Sequence, residues 1–206
     1  FRAVSPALLV CNFLLSVCKP FARHTLGPGH NRSLIVSGEE AEPYKYPFVT
    51  AVFRHHINGR VDLVCGGTLL SATWVLTAAH CTVSQLPLSV GIHRHDIGRP
   101  AEDDHPNCSE DIEVVEVIMH EEYTIDSYDY DLALLRLARG AACGASTSRV
   151  RLHDSSQLDV VGLTALVAGW GILDSGDTQY PDSLQIVDVE IFSVEQCRTL
   201  LGTDYT

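Results

Sequence analysis

The stretch that decides the fold is residues 65–81, CGGTLLSATWVLTAAHC. Two cysteines bracket it, 16 positions apart. Between them the apolar run Trp74-Val75-Leu76 gives way to Thr77-Ala78-Ala79 and then His80. This is the pattern of a buried strand that ends in a tight small-residue segment presenting an imidazole, with Ala78 and Ala79 leaving room for close packing. Cys81 can pin that segment to Cys65. A disulfide closing a loop of this size contributes about 3 kcal/mol on the chain-entropy account. The alternative, a core strand with an incidental histidine, needs the bracketing cysteines, the Thr-Ala-Ala and the two glycines after Cys65 all to be coincidence.

At 206 residues the chain can bury a core as one or two domains. Charged residues make up 19% and apolar ones 46%, so it is not a disordered chain. A net charge of −12 and a pI near 5.1 argue against nucleic acid or an anionic membrane surface as partner, since both select a basic face. There are 7 cysteines, an odd number, so in an oxidising compartment one is left as a free thiol or pairs outside the chain. None lies in a C-x-x-C pair, so a zinc site built that way is not supported. His93-x-His95 and the Asp103-Asp104-His105 cluster are the remaining metal candidates, and polar loops of this kind are usually only solvated; no metal and no cofactor are expected.

Outward from the opening stretch, the sequence reads as many short strands. The chain starts with Phe1 rather than Met, as though something upstream were missing or removed. Residues 1–18 read as a signal-peptide remnant: Arg2, an apolar run too short for a membrane span, then Cys18-Lys19-Pro20. Residues 19–34 lack periodicity and read as a propeptide or linker. Asn31-Arg32-Ser33 and Asn107-Cys108-Ser109 are N-glycosylation sequons, meaningful if the chain is secreted. Asn58-Gly59 marks a hairpin between β-rich runs. Residues 86–92 alternate, with Leu86, Leu88, Val90 and Ile92 on one face. Residues 98–110 read as a polar loop, and 112–119 as a strand of β-branched residues. An acidic, tyrosine-rich turn precedes Asp131 and the apolar run Leu132-Ala133-Leu134-Leu135. Residues 138–149 read as a linker between two halves. Strands are expected at 160–170 and 184–192, then a short helix with Ser193 as N-cap. Such a pattern argues an all-β sandwich or barrel, and composition alone does not choose between them.

Several motifs resemble those of the trypsin- and chymotrypsin-like serine proteases, over residues 35 to about 197. Ile35-Val36-Ser37-Gly38 is similar to the new N-terminus made by zymogen cleavage. Cys65-Gly66-Gly67 and Thr77-Ala78-Ala79-His80-Cys81 resemble the histidine region. His120-Glu121-Glu122-Tyr123 and Asp131-Leu132-Ala133-Leu134-Leu135 resemble the aspartate region, and Gly169-Trp170-Gly171 a marker early in the second barrel. The resemblance implies an all-β, two-barrel chymotrypsin-like fold with the active site between the barrels. It implies a protease domain over 35–206, with the first antiparallel barrel at 35–139 complete and the second at 140–206 C-terminally truncated. It also implies a secreted, monomeric serine endopeptidase, made as a zymogen, that meets protein or peptide substrates and protease inhibitors. His80 would be general base and then general acid, Asp131 would hold its tautomer, and Cys65 would pair with Cys81. Asp126 and Asp129 are nearby decoys.

The sequence departs from that family in one decisive respect. The nucleophile sits in a Gly-Asp-Ser-Gly-Gly context, and none occurs here; Asp174-Ser175-Gly176 lacks the paired glycines and follows Gly169-Trp170-Gly171 too closely. Cys197 resembles a cysteine whose partner, and then the nucleophile, lie further on. The chain as given is therefore expected to be inactive alone, and a non-catalytic homologue acting as a binding or inhibitor protein is the competing reading. Leu34, not Arg or Lys, precedes Ile35. Cys108 and Cys143 have no assured partners in the family, and Cys143 is a candidate tether for Cys11 or Cys18.

Overall fold

The computed structural model describes residues 38–105, 107–126, 129–143, 150, 161–172, 180–193, 195–196 and 199. Ile35, Asn31, Cys11, Cys18, Cys197 and Asp174-Ser175-Gly176 lie outside the described residues, as do the signal and linker readings. Among the described residues no helix is long and apolar enough to cross a membrane.

The chain forms β1 (Glu39–Glu40), β2 (Val49–His55), β3 (Val61–Leu69), β4 (Trp74–Thr77), a 3-10 turn (Ala79–Thr82), β5 (Leu88–Ile92), a one-turn helix α1 (Ala101–Asp104), β6 (Glu110–Met119), β7 (Ala133–Leu137), β8 (Thr164–Gly169) and β9 (Gln185–Glu190). Six of these strands close a barrel in the order β2-β3-β4-β7-β6-β5, every pairing antiparallel. The other three form a second sheet, β1-β9-β8. The fold is thus all-β, with one barrel closed and a separate sheet beside it. β1, although early in the chain, adds to the second sheet through Glu39↔Ile186 and Glu40↔Gln185.

Closure follows from local features. The β2–β3 hairpin turns at residues 56–60, where Gly59 adopts φ +83° and His56 N–H donates to Arg60 O at 2.8 Å. Bulges at Val52/Phe53 and Val114/Glu116 bend their strands where the sheet must curl. Val52, Leu69, Val75, Val90, Ile92, Ile112 and Leu135 fill the interior. Each such side chain stabilises by roughly 1.5–3 kcal/mol on burial.

β2 is buried on both faces. Val52 points into the barrel, while Val49, Ala51 and Phe53 pack with Ala41, Trp170 and Leu184 of the second sheet region. Hydrogen bonds reinforce this seam. His95 O accepts from Trp170 Nε1 at 3.1 Å and from Leu184 N at 2.8 Å.

Four expectations need correction. β5 begins at Leu88, not Leu86, and both its faces are buried. The 98–110 segment is not simply a polar loop: α1 turns Asp104 inward, leaving its side chain 2% exposed. Cys143 is not a tether for Cys11 or Cys18; it is bonded to Cys108. The start of the 138–149 linker is therefore anchored, with Ala141 buried against the barrel. At the other end, Ser193 Oγ accepts from Gln196 N at 3.1 Å and Gln196 Oε1 accepts from Ser193 N at 2.8 Å, a reciprocal capping box.

Candidate active site

The strand register brings the two site candidates together. β4 and β7 pair antiparallel with Thr77 opposite Ala133. Continuing past Thr77 in one direction and before Ala133 in the other sets the 3-10 turn against Asp131. Thr77 is fully buried and its hydroxyl donates to Gly66 O at 2.8 Å, tying β4 to β3 as it ends. Ala78 and Ala79 are also buried. Cys81 N–H donates to Ala78 O at 3.2 Å, and the Cys65–Cys81 bridge fixes the far side of the turn.

Asp131 meets His80 with both carboxylate oxygens. Oδ1 accepts from the His80 backbone N–H at 2.8 Å and Oδ2 lies 2.6 Å from Nδ1. An ionised carboxylate only accepts, so this contact places the imidazole proton on Nδ1 and leaves Nε2 as the acceptor face. The Asp131 side chain is 14% exposed and that of His80 28%. The pair is therefore shielded on the carboxylate side and reachable on the imidazole side. That arrangement can take a proton at Nε2 while the carboxylate stabilises the resulting imidazolium. Before Asp131, Tyr130 adopts φ 54° and its ring stacks on His120 at 4.8 Å. Asp126 and Asp129 fall in the exposed turn ahead of this point.

A cation lies behind the turn. Arg54 Nη2 donates to Cys81 O at 3.1 Å, complementing the carbonyl end of the turn. Its Nε is buried without a hydrogen-bond partner among the described residues. Nothing in its sequence neighbours marks Arg54; its place near the end of β2, against the carbonyl of Cys81, is what commits it.

Cys65, His80 and Cys81 bring potential metal-ligand atoms within 4.8 Å of one another. The two sulfurs are bonded to each other, so neither is a thiolate, and this donor set does not fit a metal. The other histidine candidates are also used structurally. His95 Nε2 contacts Glu40 Oε1 at 3.0 Å. Asp104 Oδ2 accepts from Arg94 Nε at 3.2 Å, His95 N at 2.7 Å and Asp96 N at 3.2 Å. Arg94 also donates to Asp111 and to the carbonyls of Asp96 and Arg99. Burial raises the Tyr44 hydroxyl pKa, helped by its hydrogen bond to Asp104. Burial likewise lowers that of His93, with His105 nearby adding to the effect.

Comparison with known proteins agrees with the all-β fold. The family described as Trypsin matches residues 35–206. Trypsin-3 of Salmo salar is 35% identical over 135 residues, covering 66% of this chain and 53% of the relative. Kallikrein-8 of Homo sapiens is 31% identical over 175 residues, covering 82% of this chain and 62% of the relative. The chain thus spans between 53% and 62% of the length of these two curated relatives. Among solved structures, neuropsin, a serine protease expressed in the limbic system of mouse brain, superposes with a TM-score of 0.69 at 28% identity. That match covers 84% of this chain and 71% of the other.

Proposed function

The chain belongs to the trypsin family, and from that premise we propose that it carries the base-bearing half of a serine endopeptidase site, with His80 as general base and Asp131 as its orienting carboxylate. The observation that carries this reading is the two-point contact of Asp131 with His80, 2.8 Å to the backbone N–H and 2.6 Å to Nδ1. In a Ser-His-Asp site His80 Nε2 takes the serine proton as Oγ attacks the scissile carbonyl, then returns it to the leaving amine. Asp131 keeps Nδ1 protonated throughout and stabilises the imidazolium.

The 206 residues contain no Gly-Asp-Ser-Gly-Gly stretch. Loss of the nucleophile from such a triad lowers turnover on the order of 10⁶-fold. We therefore assign these residues no peptidase turnover by themselves. The rival reading is a non-catalytic homologue that binds proteins and keeps the His80–Asp131 pair without turning over substrate. Protein or peptide substrates, secretion, a monomeric state and activation at Ile35 belong to the protease reading. Two disulfides and the net charge of −12 support an extracellular protein with no nucleic acid partner.

The test is hydrolysis of a peptide ester by two chains, the 206 residues and a reading frame continued through a Gly-Asp-Ser-Gly-Gly segment. The first is expected to show none, and the second hydrolysis that His80→Ala and Asp131→Ala remove. Turnover in the longer chain that ignores His80→Ala would sink the assignment. A stop codon directly after Thr206 would support the binding protein.

A further inference from the structure

The sequon Asn107-Cys108-Ser109 has all three of its residues in distinct states in the folded chain. Asn107 is exposed, in the turn that follows α1. Cys108 is bonded to Cys143. The Ser109 hydroxyl donates to His93 O, and His93 is itself buried. An enzyme that glycosylates asparagine must reach the acceptor amide and the hydroxyl two residues on together, on a segment free to adopt its own conformation. The fold withholds two of those requirements: the hydroxyl is turned inward onto a backbone carbonyl, and the middle residue is locked by the bridge.

We propose that Asn107 receives an N-linked glycan only while the Cys108–Cys143 bridge is open, so that bridge closure sets the occupancy of the site. The step is a group transfer from a lipid-diphosphate-linked oligosaccharide. A bond forms between Asn107 Nδ2 and the anomeric carbon, the anomeric C–O bond to the diphosphate breaks, and the amide proton passes to the transferase. The exposed position of Asn107 lets the finished glycan stand off the folded surface, so bridge closure afterwards is not obstructed.

The chain order supplies the window. Cys143 follows Asn107 by 36 residues. At roughly 5–20 residues per second of synthesis, Asn107 precedes the bridging partner by about 2–7 s. Disulfide formation then takes seconds to hours, which places the two reactions in direct competition.

This inference rests on the reading of the chain as secreted, and the experiment separates the two. The full 206-residue chain is expressed in eukaryotic cells behind an added secretory leader, and peptides containing Asn31 and Asn107 are quantified by mass spectrometry from the total cell and medium pool. Asn107 is expected to be partly occupied in the wild type. Its occupancy should rise at least twofold in Cys143→Ser, which opens the bridge without altering the sequon, and by a similar factor when a reductant is present during synthesis. Ser109→Ala should abolish it while Asn31, the internal reference, stays unchanged. Full occupancy in the wild type, equal occupancy in Cys143→Ser, or an unmodified Asn107 in every variant while Asn31 is glycosylated would each overturn the proposal. The secretion reading fails separately, if the native coding sequence continued upstream of Phe1 to its own start yields a chain that carries no glycan and stays inside the cell.

Discussion

Replacing Asp104 tests whether the 93–111 segment is held by a buried charge. Its carboxylate is 2% exposed and faces Arg94, also 2% exposed. Asp104→Ala removes the acceptor of the His95 and Asp96 backbone N–H groups and of Arg94 Nε. Each buried donor left without a partner costs roughly 1–3 kcal/mol, and breaking one side of a buried ion pair about 3–5 kcal/mol. Arg94 keeps Asp111 and two carbonyls, which offsets part of the loss. The expected destabilisation is about 4 kcal/mol, near the middle of these ranges. With a urea slope of roughly 2 kcal/mol/M, the midpoint should fall by about 2 M. Trp170 is the reporter, because its indole N–H donates to His95 O beside this network. Asp104→Asn keeps the shape and one acceptor oxygen and should cost less. In an Arg94→Met background the sign should reverse, with Asp104→Asn neutral or stabilising, because the carboxylate has then lost its nearest guanidinium. A midpoint shift below about 0.5 M for Asp104→Ala, or no sign reversal in the double variant, would refute the buried-charge account.

The other expectations are simpler. Asp131→Asn offers one acceptor oxygen where both now accept, so His80 loses either its backbone or its Nδ1 partner. The ¹⁵N shifts of His80 should show the Nε2–H tautomer gaining population, and in an active chain kcat should fall about 10⁴-fold, as in the Ser-His-Asp template of this family; an unchanged tautomer counts against the pairing. Gly67→Ala places a Cβ 2.6 Å from Thr50 Oγ1 and 2.8 Å from Val75 Cγ1, whereas at Gly66 the nearest atom is Thr50 O at 3.8 Å. Gly67→Ala should lose about 2 kcal/mol by overpacking and Gly66→Ala much less, read as Tm in paired melts. His93 is held below its ordinary pKa of 6.5 by burial, so the unfolded chain takes up that proton first. Its contribution to stability is present above about pH 6.5 and is lost as pH falls below it. His93→Asn, which tolerates the φ of 54° there, should lose less stability than the wild type between pH 7 and pH 5 in urea titrations; parallel profiles would exclude His93 as a cause.

What the sequence disclosed, and what it hid, divides along local and tertiary lines. Residues 65–81 announced a strand, a small-residue turn and a presented histidine because each is a property of neighbouring residues. The meeting of His80 with Asp131 was legible only through resemblance to a family, since it depends on the Thr77↔Ala133 register between strands far apart in the chain. Residues 112–119 were legible as a strand, yet Val115, Val117, Ile118 and Met119 are exposed. β-Branching marks a fit to a pleated, half-buried surface and does not say which of the side chains are covered. Arg94 escaped notice, and Asp104 was read only as part of a solvated cluster, for the opposite reason. Charged residues in a Gly- and Pro-containing segment read as solvated, and nothing local says that α1 folds one of them inward onto the other. Cys108 and Cys143 carried a similar ambiguity, because an odd cysteine count leaves every unassigned pairing open.

The same division bears on how the candidate site can be studied. β4, the 3-10 turn, β7 and the Cys65–Cys81 bridge set the geometry of His80 and Asp131, and all belong to the closed barrel. The second sheet is joined to that barrel through Val49, Ala51 and Phe53 on the outer face of β2 and through the carbonyl of His95. A perturbation of Trp170 or Leu184 should therefore loosen the seam before it disturbs the pair, while one at Thr77 or Ala133 acts on the pair directly. The tautomer of His80 then reports on the barrel, and indole fluorescence at Trp170 on the seam. If Leu184→Ala shifts the His80 tautomer as strongly as Thr77→Val does, the barrel does not set the pair by itself, and the second sheet must count as part of the site.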